Sequence, residues 1–307
     1  MKTTKFLKSS LLLSASFAVL ISSCGSDDAS TPVASLPPIG GFNSADEVAS
    51  ADLLAYWPLN GSGVESKSNT SPSATVGASY EAGAKGQGLK LNNGYLAYPE
   101  ISALNTIPNM TISMWVKVSN NKGTPDAHST ALFQMSRLEG ANTHWAGNVT
   151  VMAETGNWVG DTLQVKCLSV TKNLDGSSNW QDVANQPKPN AADLLDGHEK
   201  TPNKVAGSWA QVVATWDGTT KMFKMYSNGV RVSNVKWQER ISSPGTFSFY
   251  TPTKPIIGAF GTNLPGGLAP DVWQKPMTGN IDEIRIWKKT LSAADIFSLY
   301  ELEKAGR

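Results

Sequence analysis

From Met110 to Val118 the side chains alternate: Met110, Ile112, Met114, Val116 and Val118 share one face of an extended chain, and Thr111, Ser113, Trp115 and Lys117 share the other. A period of two belongs to a strand with one face buried, and such a strand needs partners to cover its apolar side. The rest of the chain supplies them. Short apolar runs at 53–59, 131–136, 148–153, 162–170, 209–216, 221–226, 230–235, 256–260 and 279–287 read as strands, punctuated by Asn60-Gly61-Ser62-Gly63, Asp217-Gly218-Thr219 and Asn228-Gly229. Gly88-Leu89-Lys90-Leu91 and Tyr95-Leu96-Ala97-Tyr98 flank Asn92-Asn93-Gly94, which predicts a hairpin because Asn-Gly accepts positive φ. Near the C-terminus Ser292 is the expected N-cap and Asp295 the capping-box acid of a short helix carrying Ile296, Leu299 and Tyr300, which is expected to pack on the sandwich edge. With no repeat at blade-length spacing, the pattern predicts an all-β, two-sheet antiparallel jelly-roll β-sandwich with one short C-terminal helix.

The 307 residues suit one large sandwich. A formal net charge of +1 leaves no basic excess for a nucleic-acid partner. The first residues do not read as part of that sandwich. Lys2, Lys5 and Lys8 precede an apolar stretch from Leu11 to Ile21 that is too short to span a bilayer comfortably, the arrangement of an export signal. Leu20-Ile21-Ser22-Ser23-Cys24 resembles the lipobox of bacterial lipoproteins, which implies a signal peptide over 1–23 and lipid attachment at Cys24. More than one acyl chain there would anchor the protein stably to a membrane. Gly25-Ser26-Asp27-Asp28 resembles the acidic tether of Bacteroidota-type surface lipoproteins, implying an outer-membrane, cell-surface location. Residues 24–48, rich in Ser, Pro and Ala, read as a flexible tether, and 49–307 as the folded domain. Within it, 171–208 is polar and without strand alternation and reads as an insertion. Beyond Cys24 only Cys167 remains, so no disulfide can staple the domain, and its alternation with Leu163 and Val165 predicts a buried thiol.

Three segments in order resemble laminin-G-like domains of the concanavalin A-like lectin/glucanase superfamily. They are Leu54-Ala55-Tyr56-Trp57-Pro58-Leu59 with Thr111-Ile112-Ser113-Met114-Trp115-Val116, then Trp209 to Gly218 continuing to Asn228-Gly229, then Gly279-Asn280-Ile281-Asp282-Glu283-Ile284-Arg285-Ile286-Trp287. The resemblance implies a concanavalin A-like sandwich, and it leaves function open, because this fold hosts lectins, adhesins, hydrolases and spacers. It also implies a structural Ca²⁺, with Asp282, Glu65 and Asn69 as the matching oxygen donors. Alternation puts Asp282 on the face of Ile284 and Ile286, where a carboxylate needs hydrogen bonds such as backbone N–H donors, a cation or a raised pKa.

Flat indole rings stack on the apolar face of a sugar, and neighbouring polar groups bind its hydroxyls. Trp115, on the polar strand face, and Trp145, Trp158 and Trp180, in or beside loops with Asp182 adjacent, are therefore candidate ligand contacts; hydrophobic pins for loops are the alternative. Trp57, Trp216 and Trp287, at strand ends, read as structural. No segment has the Glu-x-Asp-x-x-Glu spacing of laminarinase-like relatives, and adjacent Asp282 and Glu283 point to opposite faces of a strand. The expectation is a non-catalytic surface lipoprotein that binds a glycan. A protein-binding adhesin or accessory subunit of an outer-membrane complex, and a polysaccharide-degrading enzyme, are the alternatives.

Overall fold

The computed structural model describes residues 36–124, 128–156, 160–185, 203–240, 242–245 and 247–307; the expected signal peptide, Cys24 and Trp158 lie outside them. The strands are β1 (Leu53–Trp57), β2 (Ala74–Ala82), β3 (Gln87–Ala97), β4 (Met110–Lys117), β5 (Ser129–Met135), β6 (Leu138–Glu139), β7 (Asn142–Thr143), β8 (Val149–Glu154), β9 (Gln164–Lys172), β10 (Ser178–Ala184), β11 (Ala210–Asp217), β12 (Met222–Ser227), β13 (Val230–Arg231), β14 (Pro255–Ile257), β15 (Gln274–Lys275) and β16 (Met277–Trp287). They pair in the order β10-β9-β8-β5-β14-β3-β16-β4-β11-β12-β13, with β1 on β16, β2 on β3 and β15 on β5. The β15–β5 pair is parallel and the other ladders are antiparallel.

This sheet curls into a jelly-roll sandwich around one core. Ile112, Met114 and Val116 of β4 and Val212 and Ala214 of β11 meet Val149, Val151 and Ala153 of β8 and Val165 and Cys167 of β9. The alternation seen in β4 thus marks the inner face of one layer, and the buried Cys167 belongs to the inner face of the other. Trp57, Trp216 and Trp287 are fully buried. Trp216 stacks on Phe247, with centroids 4.9 Å apart, and donates from Nε1 to the Gly245 carbonyl at 2.8 Å.

Four details depart from the sequence reading. Asn92-Asn93-Gly94 is no hairpin: β3 runs straight through it, because Gly94 and Gly77 let β2 and β3 approach across a bulge between Val76 and Ala78. A Cβ on Gly94 would meet the Val76 carbonyl oxygen at 2.3 Å. The expected insertion contains β10, which pairs with β9 from Ser178↔Lys172 to Ala184↔Lys166, so the chain there extends the sheet; 186–202 lie outside the described residues. The compact unit runs from Pro37, and residues 37–48 belong to it rather than to a tether. Ala45 and Val48 are buried, and Arg307 donates from Nε to the Asn43 carbonyl and from Nη1 to the Pro37 carbonyl, both at 3.0 Å.

The C-terminal helix, Ala293–Lys304, is the fourth. Ser292 caps it as expected, accepting from the Asp295 N–H at 3.1 Å. It does not lie on a sandwich edge; it covers the outer face of the layer built on β4, β11 and β16, burying Ile296, Leu299 and Leu302 against Val213, Tyr226, Trp287 and Leu291. An outward stripe of Val213, Trp287 and Trp115 makes that face too apolar to stay wet.

Candidate functional site

The opposite layer also has an apolar outer face, and among the described residues no α-helix covers it. On β8, Val149, Val151 and Ala153 turn inward, which leaves Met152 and Glu154 outside; on β9, Val165 and Cys167 turn inward, which leaves Lys166, Leu168 and Val170 outside. On β10, Trp180 and Asp182 sit opposite Val170 and Leu168. The excursion between β5 and β8, closed by the β6–β7 pair and by the His144 N–H donating to the Arg137 carbonyl at 3.1 Å, delivers Arg137, His144 and Trp145 to this face.

Fully buried Gln134 fixes that excursion. Its Nε2 donates to the Trp145 carbonyl at 2.6 Å and to Thr150 Oγ1 at 3.0 Å, while its Oε1 accepts from the Gly261 N–H at 2.8 Å. Three stretches of chain therefore converge on one amide, and Trp145 has little freedom to shift. Its ring lies edge-on to Trp273, with centroids 5.2 Å apart, and tilted to Trp180 at 5.9 Å. His144 meets the edge of Trp180 at 5.9 Å and its Nε2 lies 2.9 Å from Glu139 Oε2. Burial, and secondarily Arg137, lower the His144 pKa, against the raising effect of Glu139.

Trp145 and Trp273 form the walls of a cavity of about 370 Å³, completed by His128, Ser129, Met152, Glu154, Gly156 and Lys166. Two flat apolar walls with hydroxyl, carboxylate and ammonium groups around them can stack a ring and bind its polar edge. Of the expected contacts, the structure brings Trp145 and Trp180 together; Trp180 is 44% exposed. Asp182 stands beside the cavity, where its carboxylate lies 2.7 Å from Lys166 Nζ and holds that side chain at the rim. Trp115 is not part of the site: it is 5% exposed, stacked on Tyr300 under the helix, and donates from Nε1 to Glu303 Oε2 at 2.7 Å. Its strand face looked polar because the residues that cover it come from the chain's far end.

The family model of the concanavalin A-like lectin/glucanases superfamily designated Laminin_G_3 matches residues 90–297. The chain belongs to that family. No curated protein matches the sequence. Among solved structures, this Laminin_G_3 chain is similar to domain 4 of the GH43 extracellular arabinanase AbnA of Geobacillus stearothermophilus, solved with arabinotriose. That match has 20% identity and a TM-score of 0.47, covering 81% of this chain and 98% of that one. It is also similar to the ligand-binding domain of botulinum neurotoxin serotype D in complex with N-acetylneuraminic acid, at 15% identity and a TM-score of 0.49. This covers 84% of the chain and 52% of that one, so the chain spans about half of the toxin domain's length.

The acids that the Laminin_G_3 resemblance assigned to Ca²⁺ have their oxygens committed to backbone. Glu65 Oε1 accepts from the N–H groups of Tyr56 at 2.7 Å and Lys67 at 2.9 Å, and Oε2 accepts from the Ser68 N–H at 2.6 Å and from the Ser68 hydroxyl. Asn69 sits in the same turn with φ 55°. Asp282 accepts from the N–H groups of Lys85 at 3.0 Å and Glu283 at 2.9 Å. Burial raises its pKa to about 7, against the lowering effect of the Lys85 N–H. Nor does Asp282 follow plain alternation: a bulge between Asp282 and Arg285, with Glu283 at φ 49°, adds a residue to β16, so Ile281, Ile284 and Ile286 all reach the core. As arranged, this donor set fits turn and bulge capping rather than a hard cation, and among the described residues no three His, Cys, Asp or Glu side chains converge as a metal site.

Sequence reasoning passed over Trp273, Tyr250, Gln134 and Arg137. A tryptophan in the polar run Asp271-Val272-Trp273-Gln274 was the one available signal; the other three depend on strand pairing that only the fold supplies.

Proposed function

We propose that the domain is a non-catalytic glycan-binding module and that its ligand seats against Trp145 and Trp273. The observation that carries this reading is the 370 Å³ cavity itself, set on the sheet face that Trp145, Phe260, Tyr250 and Trp273 pack against and walled by two tryptophans whose positions Gln134 and the β15 segment hold. Of the described residues lining it, Glu154 alone is a carboxylate, whereas retaining hydrolysis uses a pair about 5 to 5.5 Å apart; this supports binding without cleavage. The N-terminal pattern ending at Cys24 supports the further reading of an exported, lipid-anchored protein at the outer-membrane surface.

The test is a broad glycan array followed by titration of tryptophan fluorescence with any hit. Trp145→Ala and Trp273→Ala are each expected to weaken binding by about 1 to 3 kcal/mol, roughly tenfold or more, through loss of ring stacking and apolar contact area. Folded protein that engages no glycan class, or a hit indifferent to both substitutions, would refute the assignment.

A further inference from the structure

The Trp180 end of the same face carries an unanswered positive charge. Arg137 is 5% exposed, and its guanidinium carbon lies 5.6 Å from the Trp180 ring centroid and 5.4 Å from that of Tyr250. Aromatic faces attract a cation, but they leave its in-plane N–H groups without acceptors. Arg137 Nε is buried with no hydrogen-bond partner, and among the described residues no side-chain bond to the guanidinium and no carboxylate within ion-pair distance occurs. Glu139, the nearest acid by its electrostatic effect, has its carboxylate against His144 at 2.9 Å and is mostly exposed. Buried arginines ordinarily find an acid, because burying an unpaired charge is strongly unfavourable.

The surroundings add to the imbalance. Lys172 Nζ lies 4.9 Å from the Tyr250 ring centroid, so two cations share one phenol. Tyr250 is held in place from both sides: its N–H donates to Asn148 Oδ1, and its carbonyl accepts from Asn148 Nδ2, both at 2.8 Å. Its hydroxyl lies 2.9 Å from Ser178 Oγ. A guanidinium packed between fixed rings has one preset orientation for its donors, the arrangement that receives an oxyanion through two parallel N–H···O bonds.

We propose that the glycan this domain binds is acidic, with a carboxylate or sulfate ester received by Arg137 and assisted by Lys172, while a neighbouring sugar ring rests on Trp145. This rests on the glycan reading above and adds the charge of the ligand.

The experiment is calorimetric titration of the protein with three probe sets: uronate oligosaccharides from polygalacturonate, alginate and hyaluronan; the same oligosaccharides after carboxyl reduction; and sulfated galactan oligosaccharides. Binding of at least one acidic probe about tenfold or more tighter than its neutral counterpart is expected, the scale of one charge-assisted bidentate contact, with the preferred arm separating carboxylate from sulfate. The preference should collapse in Arg137→Gln and shrink in Lys172→Gln while affinity for the reduced probe is retained. Should Arg137→Gln fail to fold, the wild-type preference and its loss on raising salt decide the matter alone. Equal binding of acidic and reduced probes overturns the proposal and leaves the glycan reading intact. Silence toward every glycan, neutral or acidic, overturns both.

Discussion

Glu303 accepts from Trp115 Nε1 at 2.7 Å and from Gln211 Nε2 at 3.1 Å, and pairs with Arg285, with all four side chains shut off from solvent. Arg285 retains Glu283 Oε2 at 2.9 Å and Asp46 Oδ1 at 2.8 Å, yet Glu303→Ala would still strand three donors at once. A loss of about 3 to 5 kcal/mol is expected, read as a lowered urea midpoint with unchanged slope. Asp282 makes a different demand. The folded chain holds its proton up to about 7 against the ordinary 3.8, so its contribution to stability is complete below 3.8 and disappears as pH climbs through about 7. Relative to Asp282→Asn, the wild-type urea midpoint should therefore fall between about pH 4 and pH 7 and level off above that. Added Ca²⁺ that restored the midpoint at the alkaline end, and chelator that removed it again, would show a cation where backbone N–H groups now stand. At this scale the sequence was a partial guide. Trp145 was legible as a loop aromatic, whereas Trp180, read as lying in or beside a loop, stands on strand β10; Trp115 was not legible as buried, since Glu303 reaches it from 188 residues away.

β2 and β3 meet more closely than side chains permit, at Gly94 against Val76 and Gly77. Gly94→Ala puts a methyl into a backbone carbonyl and is expected to cost about 1 to 3 kcal/mol, lowering the melting temperature and loosening β2 first, which hydrogen exchange would show as lost protection over Ala74–Ala82. The same pair explains a misreading. Asn-Gly is a strong local signal for reversal, and here long-range pairing on both edges of β3 overrides it, with Asn93 keeping the positive φ of 48° that the dipeptide invites. β10 was missed for the converse reason. Its sequence, Ser-Asn-Trp-Gln-Asp-Val-Ala, offers little alternation, because only Val183 enters the main core and the other face is the one that carries Trp180 and Asp182. The elements with two distinct faces, β4, β11 and the C-terminal helix, could be read directly, and so could β8 and β9 of the layer that carries the site; β10 could not.

Over the whole molecule, a single core spans both layers, and Cys167 lies within it with its thiol pKa raised by burial. In a Cys24→Ser chain, a thiol reagent should label Cys167 only as fast as the entire sandwich opens, so labelling and fluorescence unfolding should report the same free energy; faster labelling would reveal a looser β8–β9 half. The two outer faces differ in their fate. One is roofed by the C-terminal helix and the segment from Pro37 to Val48, with Arg307 joined to Pro37 and Asn43; the other is left to Trp145, Trp180 and Trp273. Both ends of the folded unit thus leave from the roofed side. Whatever pulls on this folded unit through Pro37 or Arg307 therefore loads the roof, and the tryptophans stand on the face opposite that load, like a palm turned outward.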